Sequence, residues 1–337
     1  MNSAPQSKSR RRAFKVFVSG ITYIIGLIIL FFVFRNVSRN QRVQEASGPL
    51  YLQEPGHERT GHRYLYDSRL GWRNIPGWKA TTLGRKLTIN SKGLRDREYP
   101  YEKSPEFKRV LVLGDSYAWG YGVSDEEIFT EVLEEELGGS KKKVEVLNAA
   151  VSGWGTDQEY LYLLQEGHKY SPDIVLLAFF ILNDPINNVN PTQYGLRKPV
   201  FKNTALELVN VPVPKPEEMI SGGRSEADPI DLTVAIIRKL DEYCRGSGSK
   251  LMVVKFGRFL DPAGPRLLDY EKKFEDALGK SGSPVYLDLD DEFDRRGISK
   301  EQLLKGNDDG HWNAYGHAQT AKIVKEFLEA EKLLECF

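Results

Sequence analysis

The chain has 337 residues, enough for one large α/β domain with extensions or for two small domains; we read one main domain. Lys plus Arg and Asp plus Glu each number 47, but residues 1–42 hold eight of the bases (Lys8, Arg10, Arg11, Arg12, Lys15, Arg35, Arg39, Arg42) and no acid, leaving a formal charge of −8 on the rest. A body of that sign has no attraction for phosphate backbones, which excludes nucleic acid as a partner.

Residues 1–15 read as a basic cytoplasmic tail. Val16–Phe34 follows, 19 residues without a charge and rich in Ile, Leu, Val and Phe, close to the ~20 residues a helix needs to cross a bilayer. A buried core helix would be amphipathic. A cleaved signal peptide would have a shorter apolar run and a small-residue cleavage site, and Phe32-Val33-Phe34-Arg35 offers none. The segment is therefore read as an uncleaved transmembrane anchor. Five positive charges precede it and three follow closely, so the positive-inside rule predicts a single-pass membrane protein with a cytoplasmic N-terminus and an extracytoplasmic body. Cys244 and Cys336 then lie in an oxidising compartment and can pair, although two free or buried thiols are the preferred reading.

Residues 35–50 are polar and basic and suit a tether. Residues 51–108 are rich in Gly, Arg, Tyr and Trp, with alternating stretches such as Lys86-Leu87-Thr88-Ile89-Asn90, and read as a small, mostly β or irregular extension. The main domain, 109–337, opens with a buried strand, Arg109–Leu113, ending in Gly114. A helix over Asp125–Leu137, a strand over Val144–Leu147, a helix over Thr156–Tyr170 and a strand over Asp173–Phe180 follow. After an interruption come a helix (Pro229–Cys244), a strand (Leu251–Phe256), a helix (Arg266–Leu278), a strand (Val285–Leu289) and a final helix (Asn313–Leu334). Such alternation specifies a three-layer, doubly wound parallel sheet, flavodoxin-like, behind the N-terminal transmembrane helix. The interruption, 185–228, is too long for an ordinary connection and carries two short β-like runs, Pro199–Phe201 and Leu206–Val209. It reads as a hairpin-bearing insertion near the strand ends, either walling a substrate site or decorating the surface.

Four features stand at carboxyl ends of predicted strands, where doubly wound folds collect their sites. Gly114-Asp115-Ser116-Tyr117 places a serine hydroxyl at a strand-to-helix turn, although a plain Ser cap would read the same. Asn148–Gly155 includes Gly153, a bare backbone N–H or only a turn residue. Asn183-Asp184 offers a side-chain amide, or a turn-forming Asn-Asp-Pro. Asp308-Asp309-Gly310-His311 sets a carboxylate three residues before an imidazole ahead of a helix, the spacing at which an acid fixes a catalytic tautomer. Two carboxylates and one His are too few for a metal site, so no metal and no cofactor is expected.

Taken in this order the four features resemble the SGNH (GDSL) hydrolase superfamily over roughly residues 109–330. The resemblance implies Ser116 as nucleophile and Asp308 and His311 as its triad partners. The N–H groups of Ser116 and Gly153 and the amide of Asn183 would form the oxyanion hole. One departure is Ile181, where the family pattern Gly-x-Asn-Asp has glycine. The stretch Leu87–Arg95 also resembles a segment that precedes the catalytic domain in bacterial members. The implied function is a serine esterase that removes acyl groups, O-acetyl above all, from an extracytoplasmic glycan or a lipid. A glycan O-acyltransferase using the same triad and a catalytically inactive glycan-binding domain are the alternatives.

Overall fold

The computed structural model separates into two units, Met1–Leu50 and Tyr51–Phe337. It describes Leu52–Gln53 and residues 64–334, except 83–84, 139–140, 142, 216–222, 261–263, 280–283, 305 and 307–309. The anchor and tether readings, Cys336 and Asp308 lie outside the described residues. Among those described, no helix is long and apolar enough to cross a membrane.

Five parallel strands form the central sheet: β1 (Lys108–Gly114), β2 (Val144–Asn148), β3 (Ile174–Phe180), β4 (Lys250–Phe256) and β5 (Val285–Asp288). Their spatial order is β5-β4-β3-β1-β2, the 2-1-3-4-5 order of a doubly wound fold. Side chains alternate between the two faces. Val110, Val112, Ile174, Leu176, Met252 and Val254 share one core with Phe129, Leu133, Ile323, Val324 and Leu328. These belong to helices α2 (Phe129–Glu136) and α9 (Ala314–Ala330), which pack on each other. Leu111, Leu113, Val175, Leu177, Leu251 and Val253 are also buried, on the face covered by α3 (Thr156–Gln165) and α5 (Pro229–Gly246). A sheet covered on both faces has no polar side to alternate with, which is why its strands read as continuous apolar runs.

The shorter helices are α1 (Ser116–Trp119), α4 (Asp184–Val189), α6 (Pro265–Phe274), α7 (Leu289–Arg295) and α8 (Lys300–Leu304). The helix expected over Asp125–Leu137 opens as a 3-10 turn, Asp125–Glu127, capped by Ser124 and Glu127 in a reciprocal box, and breaks at the extended Ile128. The helix expected over Thr156–Tyr170 stops at Gln165 and continues as the 3-10 turn Gly167–Tyr170. Within 185–228, the run at Val200–Phe201 pairs antiparallel with Leu208–Val209. A second hairpin joins Thr192–Gln193 to Leu196–Arg197. Cys244 is a free, buried thiol on α5, pushed up to about 12 by burial.

Residues 64–107 hold the site end of the domain. Tyr64–Asp67 pairs with Gly71–Asn74, and Lys79–Thr82 with Arg85–Thr88. From the first hairpin the Trp72 indole donates to Ser152 O (3.2 Å) and the Asn74 amide to Ala150 O (3.3 Å), bracing the loop after β2. Arg95 is buried, and its guanidinium donates to the carbonyls of Trp119 (2.8 Å), Gly120 (2.6 Å) and Val123 (2.8 Å). The guanidinium thereby ties together three backbone carbonyls at the end of α1 and in the loop that follows it.

Candidate active site

Ser116 opens α1 immediately after β1, with Asp115 as the cap whose side chain accepts from Tyr117 N at 2.9 Å. His311 lies nearly two hundred residues later, just before α9. The two meet: His311 Nε2 and Ser116 Oγ are 2.7 Å apart, a full hydrogen bond. His311 is held by aromatic neighbours on the nucleophile's own segment. The rings of Tyr117 and Tyr121 each lie 4.8 Å from the imidazole, centroid to centroid. The Tyr117 hydroxyl donates to Gly310 O at 2.7 Å, fixing the loop that carries the histidine.

The loops after β2 and β3 close on this pair. Val151 N donates to Gly114 O at 3.1 Å, tying the β2 loop to the nucleophile's turn. Gly153 has φ +84, and a β-carbon there would sit 2.9 Å from the ring of Tyr194, so backbone conformation and contact both demand glycine. Asn183 caps α4, and its amide donates to Asp115 Oδ2 at 3.4 Å. Ile181, in the place of the usual glycine, is fully buried; its N–H donates to Phe256 O at 3.1 Å and its side chain packs on Gly257. Gly257, at φ +131, leaves the room that the β-branched side chain needs. The Ile181 side chain packs toward β4, and the Asn183 amide remains directed at the nucleophile's turn.

Beside these residues lies a group of buried acids, of which Asp115 and Asp184 stood inside the motifs and Asp157 and Glu159 did not. Burial raises Asp115 to about 6, against the pull of the Tyr117 N–H and of His311. Glu159 and Asp184 are pushed well above the usual carboxylate range by burial and by neighbouring acids. Among the described residues neither oxygen of Glu159 has a hydrogen-bond partner. Asp157 is ion-paired with the buried Lys198 ammonium, which also donates to Asn187 O at 2.9 Å. Lys198 comes from the insertion, so this pair bolts the insertion to the site end of α3 and α4.

The structure thus sets His311 on Ser116, joins the Asn183 amide to Asp115 beside the nucleophile, and ties the loop that carries Gly153 to Gly114 through Val151. It adds Tyr117, Tyr121, Arg95 and Tyr194, of which only Arg95 and Tyr117 stood inside a motif. Among the described residues no cluster of His, Cys, Asp or Glu is arranged to hold a metal ion.

The model of the GDSL-like lipase/acylhydrolase family matches residues 112–319, more than half of the chain. The chain belongs to that family. As a GDSL-like acylhydrolase it is a carboxylic ester hydrolase. No curated protein sequence matches it. Among solved structures it is similar to LAE5, an alpha/beta hydrolase from the metagenome of Lake Arreo, Spain, at 14% identity over 69% of this chain and 98% of that one, with TM-score 0.45. The esterase EstA from Pseudoalteromonas sp. matches at 15% identity over 68% of this chain and 100% of that one, with TM-score 0.41. The acetylxylan esterase Axe2 from Geobacillus stearothermophilus matches at 14% identity over 68% and 95%, with TM-score 0.42. None of these likenesses says what this chain acts on.

Proposed function

We propose that this acylhydrolase is an extracytoplasmic serine esterase that removes O-acetyl groups from a glycan through an acyl-enzyme on Ser116. The observation that carries the reading is the 2.7 Å contact between His311 Nε2 and Ser116 Oγ, because a serine hydroxyl is a competent nucleophile only with a base in hydrogen-bond reach. Ser116 Oγ attacks the acyl carbon and its proton passes to His311 Nε2. Asp308, three residues upstream, takes the role of orienting the ring and stabilising the imidazolium. The oxyanion is met by the N–H groups of Ser116 and Gly153 and by the Asn183 amide. As the tetrahedral adduct collapses, the sugar oxygen leaves with the proton from His311. Water, deprotonated by the same imidazole, then attacks the acyl-Ser116 ester and releases acetate.

The substrate class is supported by topology read from sequence. An anchor at Val16–Phe34 with five bases ahead of it sets the catalytic domain outside the cytoplasmic membrane, where O-acylated envelope and secreted polysaccharides are within reach of a tethered enzyme. Alkaline phosphatase fused after Phe337 should be active only outside the cytoplasm; a cytoplasm-dependent reporter active there would remove the topology. The function is tested by acetate release from acetylated oligosaccharides, compared with acyl lipids and with Ser116→Ala. Release from the glycan alone, lost in the variant, is the expected result. Acyl lipid hydrolysis without glycan deacetylation overturns the substrate class, and acetyl transfer to an added oligosaccharide in place of acetate release makes the enzyme a transferase.

A further inference from the structure

The hairpin Thr192–Gln193/Leu196–Arg197 turns through only two residues, Tyr194 and Gly195. Both have positive φ, +51 and +78, the signs a two-residue type I′ turn requires. Gly195 meets that requirement freely. Tyr194 does not, because a bulky side chain in the left-handed region is an outlier, and the position ordinarily goes to Asn, Asp or Gly. Such strain persists where the surroundings over-determine it, and it gathers at functional sites.

The surroundings here are specific. Lys198, directly after the hairpin, closes it with N–H to Pro191 O at 3.0 Å and anchors it through the buried pair with Asp157. Arg197 packs its carbonyl on Gly71, where a β-carbon would meet it at 2.2 Å. So fixed, the turn presents the Tyr194 ring against Gly153, with Cε2 and Cδ2 lying 2.9 and 3.0 Å from a notional β-carbon there. Yet the residue keeps 59% of its surface exposed, the largest fraction among the described large apolar and aromatic residues that face solvent. An aromatic ring with much of its surface exposed thus lies beside a glycine of the proposed oxyanion hole, at a turn that would form with less strain around another residue.

We propose that Tyr194 is a stacking platform for the sugar ring that bears the scissile acyl group, a specificity-determining residue. The inference rests on the glycan-esterase reading above. A pyranose offers a flat C–H face to the ring and hydroxyls to its rim, which suits a side chain with an apolar body and a polar tip. An acyl chain would call instead for an enclosed apolar slot, and a half-exposed phenol on a turn does not supply one.

The test uses Tyr194→Asn, because Asn tolerates the left-handed conformation and keeps the turn while deleting the ring. Steady-state kinetics are compared on an acetylated oligosaccharide and on a small aryl acetate, with Tyr194→Phe and Tyr194→Trp as ring-retaining controls. Loss of one aromatic contact should raise KM for the oligosaccharide by about tenfold, and the loss in kcat/KM should be about tenfold larger on the oligosaccharide than on the aryl ester. Phe and Trp should restore the oligosaccharide KM. Equal losses on both esters would mean that Tyr194 merely shapes Gly153, and unchanged kinetics on both would mean that it does nothing; either overturns the platform alone. A wild-type enzyme active on acyl lipid micelles and inert on every acetylated glycan overturns the glycan reading and the platform together.

Discussion

Asn183 is where sequence and structure bear most closely on a single atom. The Ile181 departure puts the amide in question, because a β-branched residue two positions earlier can crowd the turn and swing the donor away. In the fold Ile181 is buried against Gly257, and the Asn183 amide still reaches Asp115. If it meets the substrate oxygen only once negative charge develops, it acts on the transition state and not on bound ester. Asn183→Ala should therefore lower kcat by about 10²–10³ and leave KM nearly unchanged. Steady-state kinetics on a small ester, with circular dichroism to confirm folding, decide it; a folded variant with near wild-type kcat would leave a two-donor hole. Ser116, Gly153 and Asn183 were open to pattern reading because each follows a strand in a short motif, and His311 because it precedes the last helix with a carboxylate three residues before it. Tyr121 and Tyr194 were not, because an aromatic residue in a loop carries no sign of which ring or glycine it will face.

At the scale of elements, the strands and long helices followed from apolar runs and periodicity, and the deviations have local causes. The Asp125–Leu137 helix splits because Ser124 and Glu127 cap a first short turn, leaving Ile128 to start a second helix without a side-chain cap. Helices α4, α7 and α8 are too short for a period to show. The last helix carries a buried titration. His317 on α9 accepts the Phe129 N–H through Nδ1 at 3.2 Å and stacks on the Phe129 ring, joining α9 to α2. Burial lowers it from 6.5 to about 3, so the folded chain keeps the ring neutral while the unfolded chain protonates it near its ordinary value. Its contribution to stability is fully present above that ordinary value and is lost as pH falls toward the folded one. Between pH 6 and 4 the wild type should lose up to about 1.4 kcal/mol per pH unit relative to His317→Gln, whose amide oxygen can accept the same N–H. Urea denaturation of both proteins across that range is the measurement. Parallel curves would mean that the imidazole is protonated in the fold.

Across the whole molecule, the 2-1-3-4-5 strand order sets β1 and β3 side by side with their connections leaving in opposite directions, and the crevice at such a switch point is where these folds bind ligands. Ser116 follows β1 and Asn183 follows β3, so topology alone brings nucleophile and amide together. The alternation of elements made the doubly wound parallel sheet available to sequence reading, whereas its strand order and the bracing by residues 64–107 were hidden. Trp72, Asn74 and Arg95 act through bonds to backbone carbonyls some twenty to eighty residues away, and no local pattern encodes such partners. The central claim is that Ser116, activated by His311, forms the acyl-enzyme. It is tested most directly by reaction with a fluorophosphonate, followed by peptide mass analysis. The account predicts one adduct, on Ser116, formed at a rate that collapses in His311→Ala. Labelling at another residue, or labelling of Ser116 at an unchanged rate without His311, would contradict it.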